Sequence, residues 1–329
     1  MRILILGGTM FLGRALVESA QAAGHEVTLF NRGKSNPDLF PDVERLRGDR
    51  DSNLEALKGR RWDAAIDTCG YVPRVVKQSA SLLADAVQHY TFISSISVYR
   101  DLSQVGIDET APVGTLPDRT VEEVTGETYG PLKALCEQAA EAEMPGRVLT
   151  IRPGLVVGPH DPSDRFTYWP YRVAQGGDTL APGRPSRRIQ YIDVRDLADW
   201  TLRMCEGRQT RVYNAASADA ILTMGRLLQF CKSMSRSSAE FVWMDDGFLE
   251  SQKVGAWTEL PLWIPEKPEH AGFFLTSASK AVEAGLTFRP IADTVKATLD
   301  WIATWPPDRQ LRAGLKRERE TELLDLWKR

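Results

Sequence analysis

A chain of 329 residues with 43% hydrophobic and 26% charged residues has the composition of a folded, water-soluble protein of about two structural units, which excludes disorder as its main state. Lys and Arg number 41 against 44 Asp and Glu, a net charge of −3, so no global field favours a polyanion and a nucleic acid is not expected as a partner. Cys69, Cys136, Cys205 and Cys231 lie far apart without a Cys-x-x-Cys, and the four histidines are equally scattered. Neither a zinc site nor a disulfide framework is signalled, which fits a reducing cytoplasm. No apolar run approaches the ~18 residues of a membrane span, so a soluble, cytoplasmic protein is expected.

In chain order, short apolar runs alternate with helical periodicity, the pattern of βαβ units building a buried parallel sheet. Strands are read at Arg2 to Leu6, Glu26 to Phe30, Val43 to Leu46, Trp62 to Asp67 and Tyr90 to Ser94. Between the first two, Leu12, Ala15, Leu16, Ala20 and Ala23 recur at helical spacing and Gly24 ends the helix. A polar loop, Asp101 to Thr128, precedes a helix from Pro131 to about Glu143, and strands follow at Arg147 to Arg152 and Arg211 to Asn214. Proline- and aromatic-rich segments from Gly158 to Arg188 and from Gly247 to Phe274 read as a layer over the strand ends. In the tail, Leu311, Leu315, Leu323, Leu326 and Trp327 at helical spacing predict an amphipathic helix over 309–329, docked on its own chain or at a homodimer contact. The division that follows is 1–157 with 189–216 as a nucleotide-binding unit, 158–188 with 217–308 as a substrate-binding region, and 309–329 as the terminal helix.

Gly7-Gly8-Thr9-Met10-Phe11-Leu12-Gly13 leaves the first strand and opens the first helix. There, backbone N–H groups and the positive end of the helix dipole suit a dinucleotide pyrophosphate. Met10 stands where the usual spacing has its middle glycine. The second strand ends in Asn31-Arg32-Gly33-Lys34 rather than in the acid that accepts hydrogen bonds from a ribose. Arg32 and Lys34 suit a 2′-phosphate, favouring NADP with NAD as the alternative, or are ordinary solvated cations. Asp49, after the third strand, is placed to meet an adenine amino group, and Thr68 follows the fourth.

Tyr129-Gly130-Pro131-Leu132-Lys133 puts a phenol and an ammonium on one helix face. The ammonium and an oxidised nicotinamide would both favour the phenolate and bring the phenol toward neutral range as an acid/base. Upstream, Thr91 to Tyr99 is a strand running into Ser94, Ser95 and Ser97 at its carboxyl end, where ligands bind in open α/β sheets. Tyr71, Tyr168 and Trp169 are candidate pocket walls.

The glycine-rich turn, Ser94-Ser95-x-Ser97-Val98-Tyr99, Tyr129-x-x-x-Lys133 with Glu137, Arg152-Pro153-Gly154 through Gly158-Pro159, and Tyr191-Ile192-Asp193-Val194-Arg195-Asp196 occur in the order of one family. The chain resembles an extended or atypical short-chain dehydrogenase/reductase of the NAD-dependent epimerase/dehydratase family. The resemblance implies an α/β fold, a Rossmann-type doubly wound parallel sheet of about seven strands with a smaller C-terminal substrate layer. It implies a catalytic triad of Ser95, Tyr129 and Lys133, with Lys133 also on the nicotinamide ribose, Pro153 and Gly154 bordering the nicotinamide, and Ser97 near the substrate. Arg187 and Arg188 fall where nucleotide-sugar enzymes of the family hold a diphosphate. Ile96-Ser97 replace the Asp-Glu pair of the sugar dehydratases, which argues against a 4,6-dehydratase.

The expected activity is hydride transfer between NAD(P) and a carbonyl or carbinol carbon of a small molecule, such as a sugar or nucleotide sugar, with a reductase favoured over an NAD-retaining epimerase. The opening turn and Val27 to Lys34 also resemble the chloroplast stem-loop binding proteins, so an RNA-binding or NADP(H)-sensing protein on the same fold is the alternative of another class.

Overall fold

A computed structural model describes residues 1–217 and 222–328. Residues 218–221 and Arg329, which belong to the 217–308 and 309–329 segments above, lie outside the described residues. Seven strands, β1 (Arg2–Leu6), β2 (Glu26–Asn31), β3 (Glu44–Arg47), β4 (Ala64–Asp67), β5 (His89–Ile93), β6 (Val148–Pro153) and β7 (Arg211–Ala215), form one parallel sheet in the order β7-β6-β5-β4-β1-β2-β3. Each lies within two residues of its sequence-predicted span.

Ile3 to Leu6 of β1 are fully buried because helices cover both faces of the sheet. On one face, α1 (Phe11–Ala22) and α5 (Val194–Glu206) pack through Leu12, Leu16, Leu197 and Trp200. On the other, α2 (Pro73–Leu83) and α3 (Tyr129–Glu143) pack through Val76, Leu83, Cys136 and Ala140. The α3 helix starts at Tyr129, two residues before its expected start. Pro131 is tolerated because its missing N–H falls in the first turn, where no intrahelical partner exists. Strand order reverses between β1 and β4, which opens a crevice at their carboxyl ends.

A second hydrophobic cluster gathers the irregular segments. It joins α4 (Tyr168–Ala174) and α6 (Met224–Ser235) to Leu262, Trp263, Val295 and the chain end. Asp178–Pro182 pairs in parallel with Glu240–Met244 beside it. The terminal helix spans only Arg317–Trp327, because Gly314, at φ +112°, packs against the Tyr168 ring and directs the preceding chain away from helical geometry. It docks through Glu320, which is buried against Arg172 at 2.6 Å and accepts the Leu180 N–H at 3.0 Å. Among the described residues no helix is long and apolar enough to cross a membrane, and no His, Cys, Asp and Glu group is arranged to hold a metal.

Asp161, beyond Gly158, is buried with one carboxylate oxygen accepting the Ser163 N–H at 2.8 Å and the other without a partner among the described residues. Burial pushes its carboxyl up to about 6. The folded protein therefore holds a proton that the unfolded chain has released, and stability contributed by this site is lost as pH rises from about 4 to about 6. Asp161→Asn is expected to remove that loss, gaining about 2–3 kcal/mol over the wild type at pH 7 but little at pH 3.5. Urea unfolding at the two pH values checks this, and an equal difference at both would disprove it.

Candidate active site

The glycine-rich turn sits at the reversal point of the sheet. Gly7 and Gly8 have φ of +108° and +93°, and a Cβ on Gly7 would lie 2.5 Å from Thr68 Oγ1. Only glycine combines that backbone with that contact. Thr68 Oγ1 donates to Leu6 O at 2.9 Å, which fastens the end of β4 to the end of β1. Gly13 has its α-carbon so close to Gly8 that a Cβ would meet the Gly8 nitrogen at 2.8 Å, so α1 starts directly beneath the turn. Met10 caps α1 without a side-chain hydrogen bond, its own side chain is exposed, and Phe11 takes a left-handed φ of 39°. The first N–H groups of α1 are thus left without a capping side chain, which suits a pyrophosphate. Thr9 is buried and its carbonyl accepts from Asn36, while Leu12 belongs to the core and shapes the turn from behind.

Asn31 closes β2 and donates from Nδ2 to Gly7 O at 2.9 Å, so the residue in place of the ribose-binding acid braces the turn. Arg32 and Lys34 are exposed. Asn31, Arg32, Asp49, Arg50 and Tyr71 line a cavity of about 370 Å³ at the carboxyl ends of β2 and β3. Below it lies a network with no counterpart in the motifs above. Arg50 donates to both carboxylate oxygens of buried Asp67 at 2.6 and 2.7 Å and to Ser79 Oγ at 2.7 Å, and Tyr90 donates to Asp67 at 2.8 Å. Burial alone would raise the Asp67 carboxyl, but the Arg50 guanidinium together with the Cys69 N–H and the Tyr90 hydroxyl outweighs it and holds the group below its ordinary range. An acid ending the buried run Ala64-Ala65-Ile66-Asp67, with Arg50 the residue after Asp49, was the available signal.

The candidate catalytic side chains gather on the other side of the crevice. Ser95 takes an extended backbone after β5, and its hydroxyl accepts the Ser97 N–H at 3.1 Å. Tyr129 opens α3, and Gly130 lets that helix approach so closely that a Cβ there would lie 1.9 Å from Ser97 O. This approach brings Tyr129 and Ser95 together. Burial raises the phenol above its ordinary value, and the hydroxyl of Ser95 opposes the rise in part. Lys133, 3% exposed, donates to Gly70 O at 2.7 Å and Ile93 O at 2.6 Å, and stands 4.3 Å from the Phe92 ring centroid. Burial brings its ammonium down to about 8. The amine is thus held by the Gly70 and Ile93 carbonyls, and burial is the largest influence on the Tyr129 phenol.

Tyr71 is half exposed, with its ring centroid 6.4 Å from that of Tyr129. Ser97 is exposed at the same rim. Gly154, after Pro153, donates its N–H to Ala215 O at 2.9 Å, joining the ends of β6 and β7. Two expected pocket walls are corrected: Tyr168 and Trp169 are 1% and 0% exposed, inside the second cluster. The Trp169 indole N–H donates to Pro261 O at 2.8 Å, and the two rings meet edge-on at 4.9 Å. Helical spacing turns both inward, which a run of aromatics does not reveal. Arg187 is also structural, since it donates to both oxygens of Asp246 at 2.7 and 2.6 Å. Arg188 is exposed and lines two cavities of about 480 and 260 Å³ that share Phe274.

Behind Ser95, Arg152 donates to both oxygens of Glu137 at 2.9 and 2.7 Å and to the Tyr99 hydroxyl at 3.1 Å, and Tyr99 donates to Asn214 at 2.7 Å. Ser94 donates to the same Glu137. The pair is buried, with side-chain exposures of 6% and 11%. Arg152→Ala is expected to cost about 3–5 kcal/mol by leaving Glu137 a buried, unpaired charge, with partial recovery in Arg152→Lys. Denaturant unfolding checks this, and a loss below about 1 kcal/mol would contradict it.

Residues 3–216 match the NAD dependent epimerase/dehydratase family. The epimerase family protein SDR39U1 of Bos taurus is 28% identical over 217 residues, 60% of this chain and 68% of that protein. The chloroplast stem-loop binding protein of 41 kDa b of Arabidopsis thaliana is 32% identical over 114 residues, 30% of each chain. Among solved structures, a UDP-N-acetylglucosamine 4-epimerase from Bacillus cereus superposes with a TM-score of 0.67 at 16% identity, covering 92% of this chain and 99% of its own. The human SDR39U1 protein (isoform 2) with NADPH superposes with a TM-score of 0.60 at 20% identity, covering 91% and 99%. With its family motifs assembled at one crevice and its sequence matched over residues 3–216, the chain belongs to the NAD dependent epimerase/dehydratase family.

Proposed function

We propose that the protein is an NADP(H)-dependent reductase of a small carbonyl compound, in which Tyr129 supplies the proton. The observation that carries this reading is the meeting of Tyr129 and Ser95 through the close approach at Gly130, on the same crevice as the uncapped start of α1. The dinucleotide supplies the hydride when bound. The glycine-rich turn and α1 would hold its pyrophosphate, and Asn31, Arg32 and Asp49 would border its adenosine. SDR39U1, the 28% identical relative, has a human form solved with NADPH, which favours NADP over NAD here.

As a phenol, Tyr129 would donate a proton to a carbonyl oxygen as it becomes an alcohol, and burial raises its pKa above the ordinary value. The amide of Asn31 in place of the ribose-binding acid, beside Arg32, favours an exchanging NADP(H) reductase over an NAD-retaining epimerase. Ser95 would hydrogen-bond the same oxygen. Lys133, held by the carbonyls of Gly70 after β4 and Ile93 at the end of β5, would place its positive charge near the transient phenolate. Arg188, with no ion pair among the described residues, would meet an anionic group of the substrate such as a diphosphate.

Tyr129→Phe is expected to lower kcat for NADPH-dependent carbonyl reduction by about 10²–10⁴-fold while NADPH affinity, followed by fluorescence, stays within about twofold. Unchanged turnover would remove the catalytic role, and the absence of any dinucleotide binding would turn attention to RNA. The 32% identity with the chloroplast stem-loop binding protein supports that second reading, which demands a salt-dependent RNA affinity. For the substrate, Arg188→Ala is expected to raise KM for a nucleotide sugar about tenfold or more with kcat little changed. Identical KM values would exclude a diphosphate at Arg188.

A further inference from the structure

The end of β2 is built around a second arginine that the linear motifs do not mark. Asn31 and Arg47 are paired residues of the adjacent parallel strands β2 and β3. Asn31 Oδ1 accepts from the Gly33 N–H at 2.9 Å and from Arg47 Nη1 at 3.2 Å, while its Nδ2 is committed to Gly7 O. Gly33 has a φ of +72°, and the Arg47 guanidinium lies over its α-carbon so closely that a Cβ would sit 1.6 Å from Nη1. The missing side chain at Gly33 leaves the space that the exposed Arg47 guanidinium occupies. Nη1 is the only side-chain nitrogen of Arg47 with a protein partner among the described residues, and no carboxylate pairs with it there. The nearest acid on β3, Glu44, is taken by Arg60 at 2.6 Å and Thr28 at 3.0 Å.

In a dinucleotide-binding sheet the end of the second strand faces the adenosine ribose, where a carboxylate selects the 2′-hydroxyl of NAD and repels a 2′-phosphate. Here a neutral amide occupies that position and spends its oxygen on orienting a guanidinium. We propose that Arg47, held over Gly33 by Asn31, is the residue that selects NADP(H) by binding the 2′-phosphate. The free edge of a guanidinium matches two phosphate oxygens, and a pre-oriented one loses less side-chain freedom on binding than Arg32, whose side chain has no hydrogen bond or ion pair among the described residues. The assignment rests on the dinucleotide reading of the site.

The test is the ratio of dissociation constants for NADPH and NADH, measured by fluorescence titration on the full-length wild type, Arg47→Ala, Arg47→Lys and Arg32→Ala. Competition by 2′,5′-ADP and 5′-AMP isolates the 2′-phosphate. Arg47→Ala is expected to weaken NADPH and 2′,5′-ADP about tenfold or more while NADH and 5′-AMP change less than about twofold, with Arg47→Lys intermediate. Equal weakening of both nucleotide pairs would reduce Arg47 to a support of the turn and overturn the assignment. The same holds if Arg32→Ala alone abolishes the preference. A wild type that binds both dinucleotides equally well sinks the assignment and leaves the oxidoreductase reading standing, whereas a wild type that binds neither removes both.

Discussion

The close approach of α3 to the segment after β5 is the constraint on which the rest of the site depends. A helix can come this near to a backbone carbonyl only where it has no side chain, and Gly130 supplies that gap beside Ser97 O. The approach is secured from behind by the Arg152 and Glu137 pair, which takes in Ser94 from the end of β5 and Tyr99 from the following turn. Four segments of different sequence position are thereby tied at one buried charge pair. Its desolvation cost is offset because both carboxylate oxygens accept from Arg152 and one also accepts from Ser94.

A second buried pair performs the same task for the nucleotide half of the crevice. Arg50 and Asp67 join the loop after β3 to the end of β4, and Thr68 then fastens β4 to β1 under the glycine-rich turn. Lys133 bridges the two halves through the carbonyls of Gly70 and Ile93. The crevice is consequently lined by strand ends whose spacing is set by charged hydrogen bonds rather than by loop packing alone. Reacting groups carried on such elements are held more precisely than groups on free loops.

Most of the sheet was legible because a buried parallel strand must be apolar on both faces, so runs such as Ile3 to Leu6 have few alternatives. The glycine-rich turn, Tyr129 and Lys133 were legible for a related reason, since each requires a particular residue type at a fixed spacing. Tyr168 and Trp169 were misread because an aromatic run shows the area to be buried but not which surface buries it. The terminal helix was read too long because leucine spacing continues through Gly314, where the Tyr168 ring decides the backbone.

By itself the sequence determined the parallel sheet, the place of the nucleotide turn and the identity of the candidate catalytic residues, because these follow from local periodicity and from residue chemistry at short separation. The tertiary structure alone decided which arginines are closed on a carboxylate. Arg187 and Arg188 are neighbours in the chain, yet one is closed on Asp246, 59 residues away, and the other opens into two cavities. Arg47 and Arg50 are equally alike on paper, but one rests on Asn31 and the other is buried on Asp67. A guanidinium's role depends on which carboxylate or carbonyl the fold brings to it, and that pairing is made across distances that no local pattern encodes.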